Sequence, residues 1–245
     1  MLYCIDSPAK LNLSLRVLPL GSRDDGYHSI ESLFQRISLK DTLEISIRGE
    51  RGACFVESPL LNLPEKNTIT SAVAEFRRFT GISDGLHIRV MKYIPDGAGL
   101  GGGSSDAAAV LRGLNDLFNA ALSESELLSL GAAVGSDVPF FLSSPCAVVT
   151  GRGEKLTPLA GRNDLFYVLV FPEVRSSTGI AYSRVDEWLS LHPDDEQWPD
   201  AAELEQMYLL NPRQWRFRNS FTQALMQDYP VIGSALNDMR RAGAL

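Results

Sequence analysis

The first part of the chain alternates. Across 10–18, Leu11, Leu13, Leu15 and Val17 fall on one side of an extended backbone and Asn12, Ser14 and Arg16 on the other. That is the period-2 pattern of a half-buried strand. "PLGSRDDG" breaks it with turn formers. The stretch 27–39, "YHSIESLFQRISL", reads as a second extended segment, and after a turn at Asp41 "TLEISIR" alternates again. The period then changes. "NTITSAVAEFRRFTG" puts Ile69, Val73 and Phe76 on one face, which predicts a helix that Gly81 closes. "LHIRVMKYI" returns to alternation through Leu86, Ile88 and Val90 until Pro95 stops it. From 104 to 119, Val110, Leu114 and Leu117 form a helical stripe. Ser123 with Glu126 is a capping box that opens another helix, with Gly135 to end it. "CAVVTGRGEKLTPL" predicts a hairpin around 151–153, and "LFYVLVF" (165–171) a buried strand. The remainder is mostly helical, interrupted by an acidic loop, "HPDDEQWPD".

Strands with interspersed helices, followed by a strand and helices, imply an α+β fold of two subdomains with a boundary near 158–164. A chain of 245 residues is long enough for that and for a substantial core. The formal net charge of -7 argues against a nucleic-acid binder, which needs a basic face. An anionic small molecule remains compatible if positive potential is local. Cys4, Cys54 and Cys146 are scattered and form no CxxC pair, which speaks against a disulfide framework or a zinc site. The start "MLYCIDSPAK" carries no signal-peptide pattern, and no apolar run reaches membrane-spanning length. A cytoplasmic protein with no membrane partner is expected; oligomeric state is not readable.

One stretch carries candidate chemistry: "GAGLGGGSSDAA", residues 97–108, with five glycines between Gly97 and Gly103. Its setting is strand, glycine loop, helix start. The first amides of a helix lack intrahelical partners and carry partial positive charge, so this context suits a phosphate. A Walker A loop is excluded because no lysine follows the glycines. Gly97, Gly99 and Gly102 match GxGxxG, but the acidic residues about 20 positions on, Glu124 and Glu126, fall in a capped helix rather than at a strand end.

"PDGAGLGGGSSDAAAVLRGLN" resembles the second motif of the GHMP kinases. "SPAKLNLSLRVLPLGSRDDGYHSIESLFQRISLKDTLEI" and "GSDVPFFL" resemble the start and the third segment of the branch that phosphorylates a cytidyl diphosphate methylerythritol in non-mevalonate isoprenoid synthesis. The resemblance is dense from 2 to 142 and thinner after 172. It implies a two-subdomain GHMP-kinase fold, with an N-terminal domain over 1–158 and a partial C-terminal domain over 159–245. It implies ATP as co-substrate, wrapped by Pro95, Asp96, Gly97, Ala98, Gly99, Leu100, Gly101, Gly102, Gly103, Ser104 and Ser105. Asn67 and Lys92 would lie near the nucleoside of ATP. Lys10 and Asp137 would form the catalytic pair. Asn12, Tyr27 and His28 would hold the cytidyl substrate, with Tyr182 opposite Tyr27 across the cytosine. Mg²⁺ is expected, with Ser105 or Asp106 the nearest ligand candidates and no unambiguous set. Taken alone, Lys10 reads as a solvated strand lysine and Asp137 as a turn or cap residue; only the motifs change that.

Two departures accompany the resemblance. Asn219 is followed by Ser220 where the family has an aspartate, and the chain stops at "RRAGAL", where a third glycine-serine loop is expected. The C-terminal subdomain is therefore expected to be incomplete. The competing readings are an inactive nucleotide-binding remnant and another GHMP small-molecule kinase.

Overall fold

Strands, rather than helices, open the chain. In the computed structural model, which describes residues 2–21, 26–172, 174, 177–192 and 198–244, the order is β1 (Leu2–Val17), β2 (Ile30–Ile47), β3 (Cys54–Glu57), α1 (Thr68–Thr80), β4 (Leu86–Met91), α2 (Gly102–Leu117), α3 (Glu124–Val134), α4 (Val138–Leu142), β5 (Cys146–Gly151), β6 (Lys155–Leu159), α5 (Thr178–Leu191), α6 (Ala201–Tyr208), a single 3₁₀ turn at Pro212–Gln214, α7 (Ser220–Met226) and α8 (Pro230–Arg241). The architecture is α+β, as the sequence implies. Residues 22–25 of the expected "PLGSRDDG" turn and 193–197 of the acidic loop lie outside the described residues.

The chain divides into two units, 1–11 with 36–145 and 12–35 with 146–245, so β1 and β2 each contribute to both. The break expected near 158–164 falls inside the second unit.

In the first unit, β4 runs antiparallel to β2 from Thr42↔Met91 to Ile47↔Leu86, and β3 pairs parallel with β4. Leu43, Ile45, Ile88 and Val90 alternate inward and are fully buried. The expected stripes of α1 (Ile69, Val73, Phe76) and α2 (Val110, Leu114, Leu117) are buried as well. Small residues let α2 lie close to the sheet: a Cβ on Gly113 would sit 2.7 Å from Ile45 Cδ1. The α2 helix also packs on α1 and α4.

In the second unit, Ile30–Gln35 of β2 pairs antiparallel with β5, which forms the expected hairpin with β6. Leu33, Cys146, Val148, Leu204 and Tyr208 make its buried cluster, with Trp215 and Phe217 packed against it.

Two expectations fail. There is no turn at Asp41; β2 is one strand of 18 residues, and Asp41 is fully buried within it. Its carboxylate accepts hydrogen bonds from the amides of Tyr93 and Ile94, so a tertiary partner replaces the local turn that aspartate favours by itself. The run 165–171 is not a strand: Phe166 is 97% and Val168 75% exposed. Among the described residues no strand pairs with it, and only Leu165, Tyr167 and Leu169 are half-buried while the alternate side chains are exposed, so the run lacks the cover on both faces that a buried strand requires.

Candidate active site

The glycine loop links β4 to α2 in the first unit. At its end Gly101 is the N-cap of α2 and adopts a left-handed conformation, φ 72° and ψ 18°. A side chain there would also collide, since its Cβ would lie 2.8 Å from Phe141 Cζ and 3.1 Å from Lys10 Cγ. Glycine is thus required by conformation and by close approach. The loop is tied at two points. Lys10 N donates to Leu100 O at 2.9 Å, and Thr68 Oγ1 donates to Gly103 O at 2.7 Å. No side chain caps α2, so the amides of residues 102–104 have no intrahelical partner. Thr68, Lys92, Ile94 and residues 95–104 line a cavity of about 250 Å³. Uncapped amides at the positive end of a 16-residue helix suit an anion.

Beside the loop lie Lys10 and Asp137. Lys10 is only 5% exposed, and its Nζ is 3.7 Å from Asp137 Oδ2. Burial pulls the Lys10 pKa below the ordinary lysine value, against the charge and hydrogen bond of Asp137, which raise it. Asp137 occupies the N-cap position of α4, yet its side chain makes no capping bond. The carboxylate is directed to Lys10 instead. Every residue of α4 is buried. Its far end is fixed by two arginines: Arg36 Nη2 donates to Phe140 O and Phe141 O, both at 2.8 Å, and Arg112 Nη2 to Leu142 O at 2.6 Å. Burial and the like charge of Arg112 bring the Arg36 pKa down to about 10. Thus α4 carries Asp137 at one end and, one turn on, the Phe141 ring against Gly101. An ammonium and a carboxylate held together in this way can stabilise developing negative charge and accept a proton.

The two residues expected near a nucleoside are engaged in the fold. Asn67 caps α1: its Oδ1 accepts from Ile69 N and Thr70 N, and its Nδ2 donates to Pro64 O. Lys92 Nζ donates to Asp41 Oδ2 at 2.5 Å and to Asp106 Oδ2 at 2.7 Å. Burial works against the Lys92 charge, but the two carboxylates outweigh it and raise its pKa. Asp106 is pushed up to about 6 by burial, in spite of Lys92; its Oδ1 accepts from Ser7 Oγ at 2.8 Å. Asp41 was not among the expected site residues. The available signal was an aspartate inside an otherwise unbroken extended run. Among the described residues no group of three His, Cys, Asp or Glu side chains could enclose a metal ion. Ser105 Oγ is buried without a hydrogen-bond partner.

The expected substrate residues belong to the second unit. Asn12 Nδ2 donates to Ser32 Oγ at 3.2 Å. His28 Nδ1 is 2.9 Å from Leu18 O, and Nε2 is 3.4 Å from Asp186. The His28 ring stacks on Tyr182 with centroids 5.0 Å apart, and Phe221 meets Tyr182 edge-on at 5.1 Å. Tyr27 is 54% exposed and has the Arg152 guanidinium 3.7 Å from its ring centroid. The structure therefore gathers His28 and Tyr182 into one stack and sets Tyr27 against Arg152. Sequence reasoning did not identify Arg152, Asp186 or Phe221, none of which lies in a recognisable motif.

Residues 67–144 match the N-terminal domain of the GHMP kinases. Over 241 residues the chain is 44% identical to the 4-diphosphocytidyl-2-C-methyl-D-erythritol kinase of Treponema pallidum (strain Nichols), covering 96% of this chain and 82% of that one. Over 244 residues it is 40% identical to the kinase of the same name from Symbiobacterium thermophilum, covering 98% and 84%. A crystal structure of 4-(cytidine 5'-diphospho)-2C-methyl-D-erythritol kinase superposes with a TM-score of 0.74 at 30% identity, over 98% of this chain and 83% of that one. The homoserine kinase of Cytophaga hutchinsonii shares the fold, with a TM-score of 0.63 at 17% identity over 99% and 80%.

Proposed function

The chain belongs to the 4-diphosphocytidyl-2-C-methyl-D-erythritol kinases, a branch of the GHMP kinases, and from that premise we propose how its own residues transfer the γ-phosphoryl group of ATP to the 2-hydroxyl of the methylerythritol unit. The protein is a small-molecule kinase of isoprenoid synthesis, with ATP as co-substrate. Phosphoryl transfer depends on positioning and on charge stabilisation more than on covalent chemistry. The amides of 102–104 and the loop 95–105 hold the phosphates against the α2 N-terminus. Lys10 places its ammonium beside the transferring group. Asp137 orients the acceptor hydroxyl and takes its proton late in a loose transition state, where orientation matters more than basicity.

Bound Mg²⁺ would neutralise the β and γ oxygens of ATP. Ser105 fits it best, because its buried hydroxyl has no partner, whereas both oxygens of Asp106 are already bonded. Among the described residues no carboxylate cage encloses the site, so the phosphates and water would supply the other ligands. Asn67 and Lys92 act from the nucleotide side. Asn12, Tyr27, His28 and Tyr182 hold the cytidyl group through aromatic faces and polar edges, and such a site discriminates strongly against substrates that leave its polar groups unpaired.

The observation that carries this reading is Asp137: a carboxylate at a helix N-cap that declines the cap and faces a buried lysine. The test is ATP-dependent product formation with three acceptors: 4-diphosphocytidyl-2-C-methyl-D-erythritol, mevalonate and homoserine. Transfer to the cytidyl acceptor alone is expected. Comparable use of mevalonate, or stabilisation by ATP with no transfer to any acceptor, would refute it.

A further inference from the structure

Asp41 is the most deeply buried charged group of the first unit that the reaction itself does not use. Its Oδ1 accepts from Tyr93 N at 2.5 Å and Ile94 N at 2.8 Å, and its Oδ2 accepts from Lys92 Nζ at 2.5 Å. Those three partners are consecutive residues at the entrance to the glycine loop. On the exit side, Asp106 of α2 holds the same ammonium at 2.7 Å and is itself held by Ser7 of β1. Two carboxylates and one ammonium thus bridge β2, the loop entrance, the first turns of α2 and β1. A buried ionic cluster of this kind adds little to stability when compared with apolar packing, because desolvation offsets the attraction. What it does supply is fixed geometry. Lys92 lines the loop cavity, and its Nζ would be 3.3 Å from a Cβ on Gly102. An ammonium has three donors; two are taken by the carboxylates, which leaves one for a ligand in the cavity.

We propose that Asp41 is a positioning residue for ATP: it fixes the entrance of the glycine loop and aims the Lys92 ammonium at the phosphate cavity, with Asp106 as its counterpart on α2. The inference rests on the reading of the loop as the ATP phosphate site. Asp41 acts through Lys92 and the backbone, and touches no substrate.

Asp41→Asn separates the two parts of this role. The amide oxygen can still accept from Tyr93 N and Ile94 N, but the NH₂ group faces the ammonium donor to donor. Losing a charged hydrogen bond of this type is expected to raise KM for ATP about ten-fold or more. The value of kcat at saturating ATP and KM for the cytidyl substrate stay within about two-fold. Asp106→Asn, which keeps its bond from Ser7, shifts KM for ATP in the same direction and serves if Asp41→Asn does not fold. Lys92→Gln alone raises KM for ATP by a similar factor, and adding Asp41→Asn to it changes little, because the partner is gone. An unchanged KM for ATP in both carboxylate variants overturns the proposal. So does a rise in both KM values together with a lowered Tm, which is what a purely structural role would give. Gly99→Val separates the underlying reading: Gly99 lines the cavity, its added Cβ meets no protein atom within 4 Å, and at φ +73° the valine strains the loop backbone. If it binds ATP like the wild type, the phosphate reading of the loop and this inference fall together. If it loses ATP while Asp41→Asn does not, this inference alone fails.

Discussion

Alanine at position 101 puts the geometry of the glycine loop to a graded test. Gly101 has φ 72°, and placing an L-residue in the left-handed region costs about 1–2 kcal/mol. The new Cβ would stand 2.8 Å from Phe141 Cζ, 3.0 Å from Cε2 and 3.1 Å from Lys10 Cγ. The Phe141 ring is 4% exposed and packs edge-on against Phe140, with centroids 5.2 Å apart. It has little room to retreat, and overpacking of this kind adds about 1–3 kcal/mol. The two effects together predict a loss of about 2–5 kcal/mol for Gly101→Ala. Gly97 and Gly99 share the left-handed backbone, at φ +69° and +73°, but a Cβ on either meets nothing within 4 Å. Their alanine variants should therefore lose only the conformational part, about 1–2 kcal/mol. Denaturant unfolding of the three variants gives the ranking. ATP titration calorimetry should show Gly101→Ala weakened as well, because the displaced atoms include Lys10 Cγ. Equal losses at all three positions, or wild-type stability for Gly101→Ala, would refute the packing argument.

Four other outcomes follow from particular contacts. Because Lys10 has a folded pKa below its unfolded value of 10.5, the unfolded chain binds more protons between the two values, so unfolding free energy should rise with pH across that window; Lys10→Met should remove that rise, and pH-dependent denaturant melts of the two proteins would show it. Arg36→Ala frees the carbonyls of Phe140 and Phe141, and should cost about 1–3 kcal/mol; it should lower kcat more than it raises KM for ATP, because α4 carries Asp137. Tyr208 accepts from Arg162 N at 2.8 Å and donates to Gln35; Tyr208→Phe should cost about 1–3 kcal/mol in chemical denaturation while leaving ATP affinity unchanged. The fourth is the effect of Asp137→Asn on phosphoryl transfer itself.

Local pattern made much of the first unit legible. The stripes of α1 and α2 were readable because each helix buries one face in the core, and periodicity records that directly. The cap at Ser123 was readable because capping is local chemistry, whereas the capping role of Asn67 emerged only with the structure. Asp41 was not, since its turn propensity is local while the amides of Tyr93 and Ile94 that hold it are remote in sequence. The run 165–171 misled for the opposite reason: an apolar pattern states a demand for burial but does not name the partner that meets it. Of the candidate site, the glycine loop was visible in composition and setting. Lys10 and Asp137 were singled out only through the family motifs, because a lone strand lysine and an aspartate before Val-Pro are ordinary surface features by themselves. The two arginines on α4 and Arg152 on Tyr27 had no local signature at all, since each acts on a residue far away in the chain.

The most direct measurement is single-turnover phosphoryl transfer from ATP to 4-diphosphocytidyl-2-C-methyl-D-erythritol by the wild type and by Asp137→Asn, with ATP affinity measured in parallel. The substitution keeps the shape of the side chain and removes the proton acceptor and the charge that faces Lys10 at 3.7 Å. The expected result is transfer slowed by about a hundred- to ten-thousand-fold, the usual contribution of a positioned acid or base, with the Kd for ATP within about two-fold of wild type, since the phosphate loop is untouched. Transfer by Asp137→Asn at close to the wild-type rate would contradict the assignment of Asp137 as the group that receives the acceptor's proton.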